Sequence, residues 1–143
     1  MVGQLRSYAD GQMIFVDSSV WVDYFNGRKT SKTDWLDFSL GSTLIIMGDL
    51  VLTEVLQGFQ NDKDFKAARD LLSQMPFMEM CGRDIALQSA VNYRVLRKKG
   101  VTTRKTIDVI IATFCIHYQL PLLHDDRDFD IMSKFLDLRT IDT

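Results

Sequence analysis

Residues 13–27 read MIFVDSSVWVDYFNG. Four apolar residues, Met13 to Val16, run straight into Asp17; two serines follow, and then apolar and aromatic residues suited to a short helix that Gly27 ends. This is the pattern of a buried strand turning into a helix with a carboxylate at the junction. An ionised carboxylate at the edge of an apolar core costs free energy unless something pairs with it. Two questions follow: which elements pack around this strand, and what pairs with Asp17.

Outward from that stretch, strand and helix patterns alternate. TDWLDFSLG (33–41) reads as a short helix stopped by Gly41, and TLIIM (43–47) as a second strand rich in β-branched residues. DLVLTEVLQGF, from Asp49, reads as a helix with Asp49 as its N-cap and Leu52, Val55, Leu56 and Phe59 on its apolar face. NDKDFKAARDLLSQM (61–75) is amphipathic through Phe65, Ala68, Leu71 and Leu72, and FMEM (77–80) is a short third strand. RDIALQSAVNYRVLRKKG (83–100) is the longest helix, with Leu87, Ala90, Val91 and Val95 at helical spacing and Gly100 as its stop. TIDVIIATFCIHYQ (106–119) is an apolar helix opened by Thr106 as N-cap. LPLLH (120–124) is a strand, DDRDFDIMSKF (125–135) a loop leading into a short helix, and LDLRTI (136–141) a last strand. Alternation of this kind predicts an α/β fold, an α/β/α sandwich with a central parallel sheet. In such folds ligands sit beyond the carboxyl ends of the strands.

At 143 residues the chain is one domain with room for a proper core. Its 46% hydrophobic and 25% charged residues are ordinary for a globular protein, and only two prolines argue against a linker-rich chain. A net charge of −2 gives no global basic bias, though a local basic patch remains compatible with nucleic acid. Cys81 and Cys115 show no zinc-ligand spacing and read as buried, reduced thiols, which leads us to expect a cytoplasmic protein. No apolar run reaches eighteen residues, so no membrane span is expected. Residues 1–12, MVGQLRSYADGQ, are polar and aperiodic: either an N-terminal extension or the product of a start upstream of Met13, with the folded domain expected over 13–143.

The acids fall where the strand rule points. Asp17 follows the first strand, and Asp125, Asp126 and Asp128 follow the LPLLH strand, so both groups are expected on one edge of the sheet. Asp108 lies in the first turn of its helix, where the helix dipole favours a carboxylate by about 0.3–1 kcal/mol. Glu54 is the only charged residue within LVLTEVLQGF. Each acid alone has a plainer reading: a helix N-cap, a dipole-stabilised first turn, a wet helix face, a solvated turn. Together they repel one another, and such a cluster persists when a divalent cation neutralises it. Oxygen ligands without a Cys or His set point to Mg²⁺ or Mn²⁺. Such a site suits phosphodiester hydrolysis, in which metal activates water and stabilises the leaving oxygen.

These pieces resemble the PIN domain, and more narrowly the VapC-type toxins of bacterial toxin–antitoxin pairs. MIFVDSSVWVDYF is similar to that family's opening strand and helix, LVLTEVLQGF to its glutamate motif, TIDVIIATFCIHYQLPLLH to its third-acid helix and following strand, and DDRDF to its closing acidic loop. The resemblance spans nearly all of 13–143 and is specific through the order of the four motifs. It implies a metal site of Asp17, Glu54, Asp108, Asp126 and Asp128, with either of the last two the direct ligand and Asp125 at a position not usually acidic. It implies that Ser19 orients a carboxylate or a metal-bound water. It further implies Mg²⁺- or Mn²⁺-dependent RNA cleavage, a homodimer, and a cognate antitoxin that blocks the site.

Other residues carry weaker signals. Arg104 and Lys105 precede the Asp108 helix and are candidates for an RNA phosphate contact. Trp21, Tyr24, Phe25 and Trp35 read as core or partner contacts rather than base-stacking residues. His124 reads as structural, with a substrate contact as the alternative. A haloacid-dehalogenase-type phosphatase needs a second Asp where Ser19 stands, and a response-regulator receiver needs paired acids and a late lysine that VDSS and LLHDD do not supply. A housekeeping RNA-processing PIN nuclease and a non-catalytic PIN-like binding module remain as alternatives to the toxin.

Overall fold

The computed structural model describes residues 13–102 and 105–143. Its elements are β1 (Met13–Val16), α1 (Ser18–Phe25), α2 (Ser31–Ser39), β2 (Leu44–Gly48), α3 (Asp49–Leu56), α4 (Asp62–Leu72), β3 (Phe77–Met78), α5 (Arg83–Lys98), α6 (Thr106–His117), β4 (Leu122–Leu123) and α7 (Arg127–Phe135). The proposed extension at residues 1–12 lies outside the described residues.

The four strands form one parallel sheet in the order β3-β2-β1-β4. Strand β1 is central, with Ile14 beside Ile45 and Phe15 beside both Ile46 and Leu122. Ile14, Phe15 and Val16 are buried, as a strand covered on both faces requires. The helices pack in two groups: α1 against α2 and α3, with α4 on α3, and α5, α6 and α7 against one another. The sheet runs between them, and Phe15 meets Phe114 of α6 with ring centroids 5.2 Å apart. No helix among the described residues is long and apolar enough to cross a membrane.

Five local expectations need correction. The face of α5 is rotated: Ile85, Ser89, Asn92 and Leu96 are buried, whereas Leu87 and Val91 are 59% and 50% exposed. Two stripes compete on this helix, an apolar one through Leu87 and Val91 and a mixed one through Ile85, Ser89, Asn92 and Leu96; the mixed one is buried, and the Asn92 amide donates to Thr113 Oγ1 of α6 (3.0 Å). Asp49 is not the cap of α3 but its first residue; its Oδ1 accepts from the Leu50 and Met80 amides, tying α3 to the chain beyond β3. The cap position is Gly48, where a Cβ would run into the Met80 side chain and stand 3.1 Å from Phe15 Cζ. Lys105, not Thr106, occupies the cap position of α6, without a side-chain cap bond. The last expected strand is reduced to one parallel bridge, Leu122 to Thr140. Cys115 is buried as expected, but Cys81 is only half-buried.

In α1, Val20 and Trp21 are the buried residues and Val22 faces outward. Trp21 packs on Tyr24 and Phe25, and Phe25 on Phe59 just beyond α3, which anchors the helix that follows Asp17.

Candidate metal centre

Asp17 leaves the end of β1 and begins α1. Its backbone amide donates to Leu123 O of β4, which keeps the strand paired up to the junction. Its Oδ2 accepts from the Ser19 amide (3.1 Å) and from Ser19 Oγ (2.7 Å). The N-cap reading and the site reading are therefore both met by one carboxylate: Oδ2 caps the helix, while Oδ1 is buried without a partner. Burial pushes the Asp17 carboxyl above its ordinary pKa, the Ser18 and Ser19 hydrogen bonds pull it back, and the charge of Asp126 pushes it up again.

Asp108 sits in the first turn of α6 and is buried, and its Oδ2 likewise has no partner. Its pKa is raised to about 7, first by burial, then by the charges of Asp17 and Asp126, with Lys105 opposing and Glu54 adding a smaller push. Glu54, half-buried on α3, accepts from Ser18 Oγ (3.2 Å). Burial and the charge of Asp17 raise its pKa, while Ser18 and Lys105 lower it. The acidic loop completes the cluster. Asp126 caps α7, its Oδ1 accepting from the Asp128 amide (2.9 Å). One carboxylate oxygen from each of Asp108, Asp126 and Asp128 lies within 4.8 Å of the other two.

Five sequence-expected acids thus gather at the carboxyl edge of the sheet, three in a tight triad, with Asp17 and Glu54 near enough that their charges raise the Asp108 pKa. The donor set is all oxygen, and two of its buried oxygens have no partner in the chain. Uncompensated buried carboxylates are expensive, and a hard divalent cation would relieve the cost. Asp125 contributes through its backbone: its amide donates to Ser19 Oγ (3.1 Å), and its side chain is exposed. Ser18 and the Asp125 amide were missed by sequence reading; the doubled serine was the available signal. His124 is 3% exposed, in keeping with its structural reading, and burial lowers its pKa against the pull of Asp130. Lys105 is exposed at the start of α6, while Arg104 lies outside the described residues.

A family model described as the PIN domain matches residues 14–134. The chain belongs to the PIN domain family. This PIN domain is 28% identical over 131 residues to Ribonuclease VapC11 of Mycobacterium tuberculosis, covering 89% of this chain and 96% of that protein. The same figures hold for VapC ribonuclease Mb1587 of Mycobacterium bovis. Among solved structures, it resembles VapBC2 from Rickettsia felis bound to a promoter DNA fragment, with a TM-score of 0.73 at 16% identity over 91% of this chain and 98% of that one. It also resembles VapBC-1 from nontypeable Haemophilus influenzae, with a TM-score of 0.70 at 18% identity over 92% and 98%. These likenesses share the PIN fold.

Proposed function

We propose that the protein is a metal-dependent endoribonuclease, the toxin of a toxin–antitoxin pair, that cleaves RNA phosphodiester bonds and is neutralised by a cognate antitoxin. The observation that carries the reading is the gathering of Asp17, Glu54, Asp108, Asp126 and Asp128 at one sheet edge, with unpartnered buried oxygens on Asp17 and Asp108. The names of the relatives support the ribonuclease assignment, and VapBC complexes among the similar folds support an antitoxin partner.

In this reading the five carboxylates hold Mg²⁺ or Mn²⁺, with Asp108, Asp126 and Asp128 the tightest group. Such an ion supplies activated water, a clamp on the phosphate oxygens and stabilisation of the leaving oxygen. The chain does the positioning. Ser19 fixes Oδ2 of Asp17, so the free Oδ1 is the oxygen offered to the ion. Ser18 fixes Glu54. Lys105, whose charge reaches both Glu54 and Asp108, stands where it can take a substrate phosphate; Arg104 is proposed for the same role from its place in the sequence alone. The protein works as a homodimer, and the exposed apolar face of α5, with Ala86, Leu87, Ala90 and Val91, supports a second copy as its cover.

The test is cleavage of total bacterial RNA by purified protein freed of antitoxin, with Mn²⁺ or Mg²⁺ and with EDTA. Cleavage that requires the metal and is lost in Asp17→Asn and Asp108→Asn is the expected result. Folded, metal-loaded protein that leaves total RNA intact would shift weight to the non-catalytic binding module or to a substrate absent from the mixture.

A further inference from the structure

The residues after β4 are held by their own backbone amides, and one of the acceptors is a buried ring. His124 Nδ1 accepts from the Asp126 amide (3.1 Å). A ring nitrogen that accepts a hydrogen bond carries no proton, so Nε2 carries it in the neutral ring. Nε2 points toward Oδ1 of Asp130, one turn into α7, at 3.4 Å. The ring is wedged against Phe129, with centroids 5.2 Å apart. His124 is thus fixed at three points, and in this orientation Nδ1 holds the peptide of Asp126.

That peptide belongs to a short chain of contacts across the site. Ser19 Oγ donates to Asp17 Oδ2 and accepts from the Asp125 amide; His124 accepts from the next amide, Asp126; the Asp126 carboxylate accepts from the amide of Asp128. Successive amides of the acidic loop are therefore anchored to two different places, Ser19 in the first turn of α1 and His124 just after β4. Without the His124 acceptor, the Asp126 amide would lose its partner, and the carboxylate that both caps α7 and stands in the triad would lose its backbone reference.

We propose that His124 is a positioning residue of the metal centre, its Nδ1 setting the Asp126 peptide and through it the carboxylate that faces Asp108 and Asp128. The inference rests on the metal-centre reading above, and its test separates the two. Partners that orient ligands from behind typically change metal affinity by about 10- to 100-fold when removed. In His124→Asn the amide oxygen falls near the place of Nδ1 and can accept the same bond; in His124→Leu the shape is roughly kept and the acceptor is gone. Mn²⁺ affinity, measured by calorimetry, is expected to fall about 10- to 100-fold in the Leu variant and to stay within about threefold of wild type in the Asn variant. A ring that served only as core filler would give the opposite order, because leucine suits an apolar site better than asparagine; that order, or equal affinities in wild type and the Leu variant, would overturn the inference while leaving the metal centre standing. Wild-type protein that binds no Mn²⁺ would overturn both. Nitrogen NMR of the metal-free wild type provides a check that needs no variant to fold: Nδ1 is expected to be unprotonated and the Asp126 amide protected from exchange, and a protonated Nδ1 or an unprotected amide would sink the inference.

Discussion

Met13 and Leu44 open adjacent strands and are 38% and 50% exposed; four residues on stand Asp17, just past the end of β1, and Gly48, the last residue of β2, both buried. Phe77, at the start of β3, is 54% exposed as well. Apolar side chains stand in water at one end of the sheet while carboxylates are sealed in at the other. Exposed apolar residues are common and cheap, but buried acids without partners are neither. Stability of the chain alone does not account for the arrangement. The carboxyl edge accepts a stability cost in return for a preorganised acidic site, and the amino edge carries no comparable demand.

If that contrast is right, the carboxyl edge should respond to small changes far more than the amino edge does. The largest effect is expected from Asp17→Asn and Asp108→Asn, each lowering metal-dependent RNA cleavage by at least about 100-fold, the upper end of what loss of a mere orienting partner costs. Loss of less than about tenfold in either would place that carboxylate outside the site. Next comes Gly48→Ala. The added methyl meets the buried Met80 side chain and Phe15 at the turn from β2 into α3, so a loss of about 1–3 kcal/mol by denaturant unfolding is expected. Leu44→Gln, at the other end of the same strand, should stay within about 0.5 kcal/mol of wild type. Equal losses at the two ends would break the comparison.

The same asymmetry explains what could be read from the sequence. The β1–Asp17–α1 junction was legible because the strand is central and covered on both faces, so its apolar run is unbroken up to the acid. Glu54 stood out as the one charge in an apolar run, Asp108 as an acid in the first turn of its helix, and DDRDF as acids after a strand. The face of α5 was not legible: Leu87 and Val91 satisfy helical spacing as well as Ile85 and Leu96 do, and only the bond from Asn92 to Thr113 decides between the stripes. The role of Asp125 was hidden for a different reason. It acts through its amide, and no side-chain pattern reports where a backbone N–H points. The edge strand at 136–141 shrank to one bridge because a sequence pattern specifies which residues suit a strand, not how many find a partner.

A pH titration sharpens the contrast by reading one carboxylate directly. Asp108 in the metal-free fold has its pKa raised from 3.8 to about 7, chiefly by burial and then by Asp17 and Asp126. Between those values the folded protein binds the extra proton and the unfolded chain does not, so this group's contribution is full below the lower value and is lost as pH rises through the upper one. The slope for one such group approaches about 1.4 kcal/mol per pH unit. Metal-free wild type is therefore expected to fall below Asp108→Asn in thermal stability as pH is raised toward about 8, with the gap closing near about pH 5. Mn²⁺ should restore wild type at the higher pH and leave the variant unmoved. A gap independent of pH would show that Asp108 is not the group that carries the buried charge.

The smallest stability effect is expected on α5, where the exposed residues form a face rather than a scatter. Leu87 and Val91 lie one turn apart and Ala86 and Ala90 flank them, while the helix already satisfies its core through Ile85 and Leu96. A residue exposed to this degree has little to lose within one chain, so Leu87→Asp should change unfolding free energy by no more than about 0.5 kcal/mol. A second copy seated on that face would feel the charge at once, because a buried carboxylate without a partner is costly. Light scattering of the wild type is expected to give the mass of two chains, and of Leu87→Asp the mass of one. A variant that stays dimeric would move the contact to another surface, and a wild type that is monomeric at every concentration would leave the α5 face as the exposed apolar cost that the amino edge of the sheet also bears.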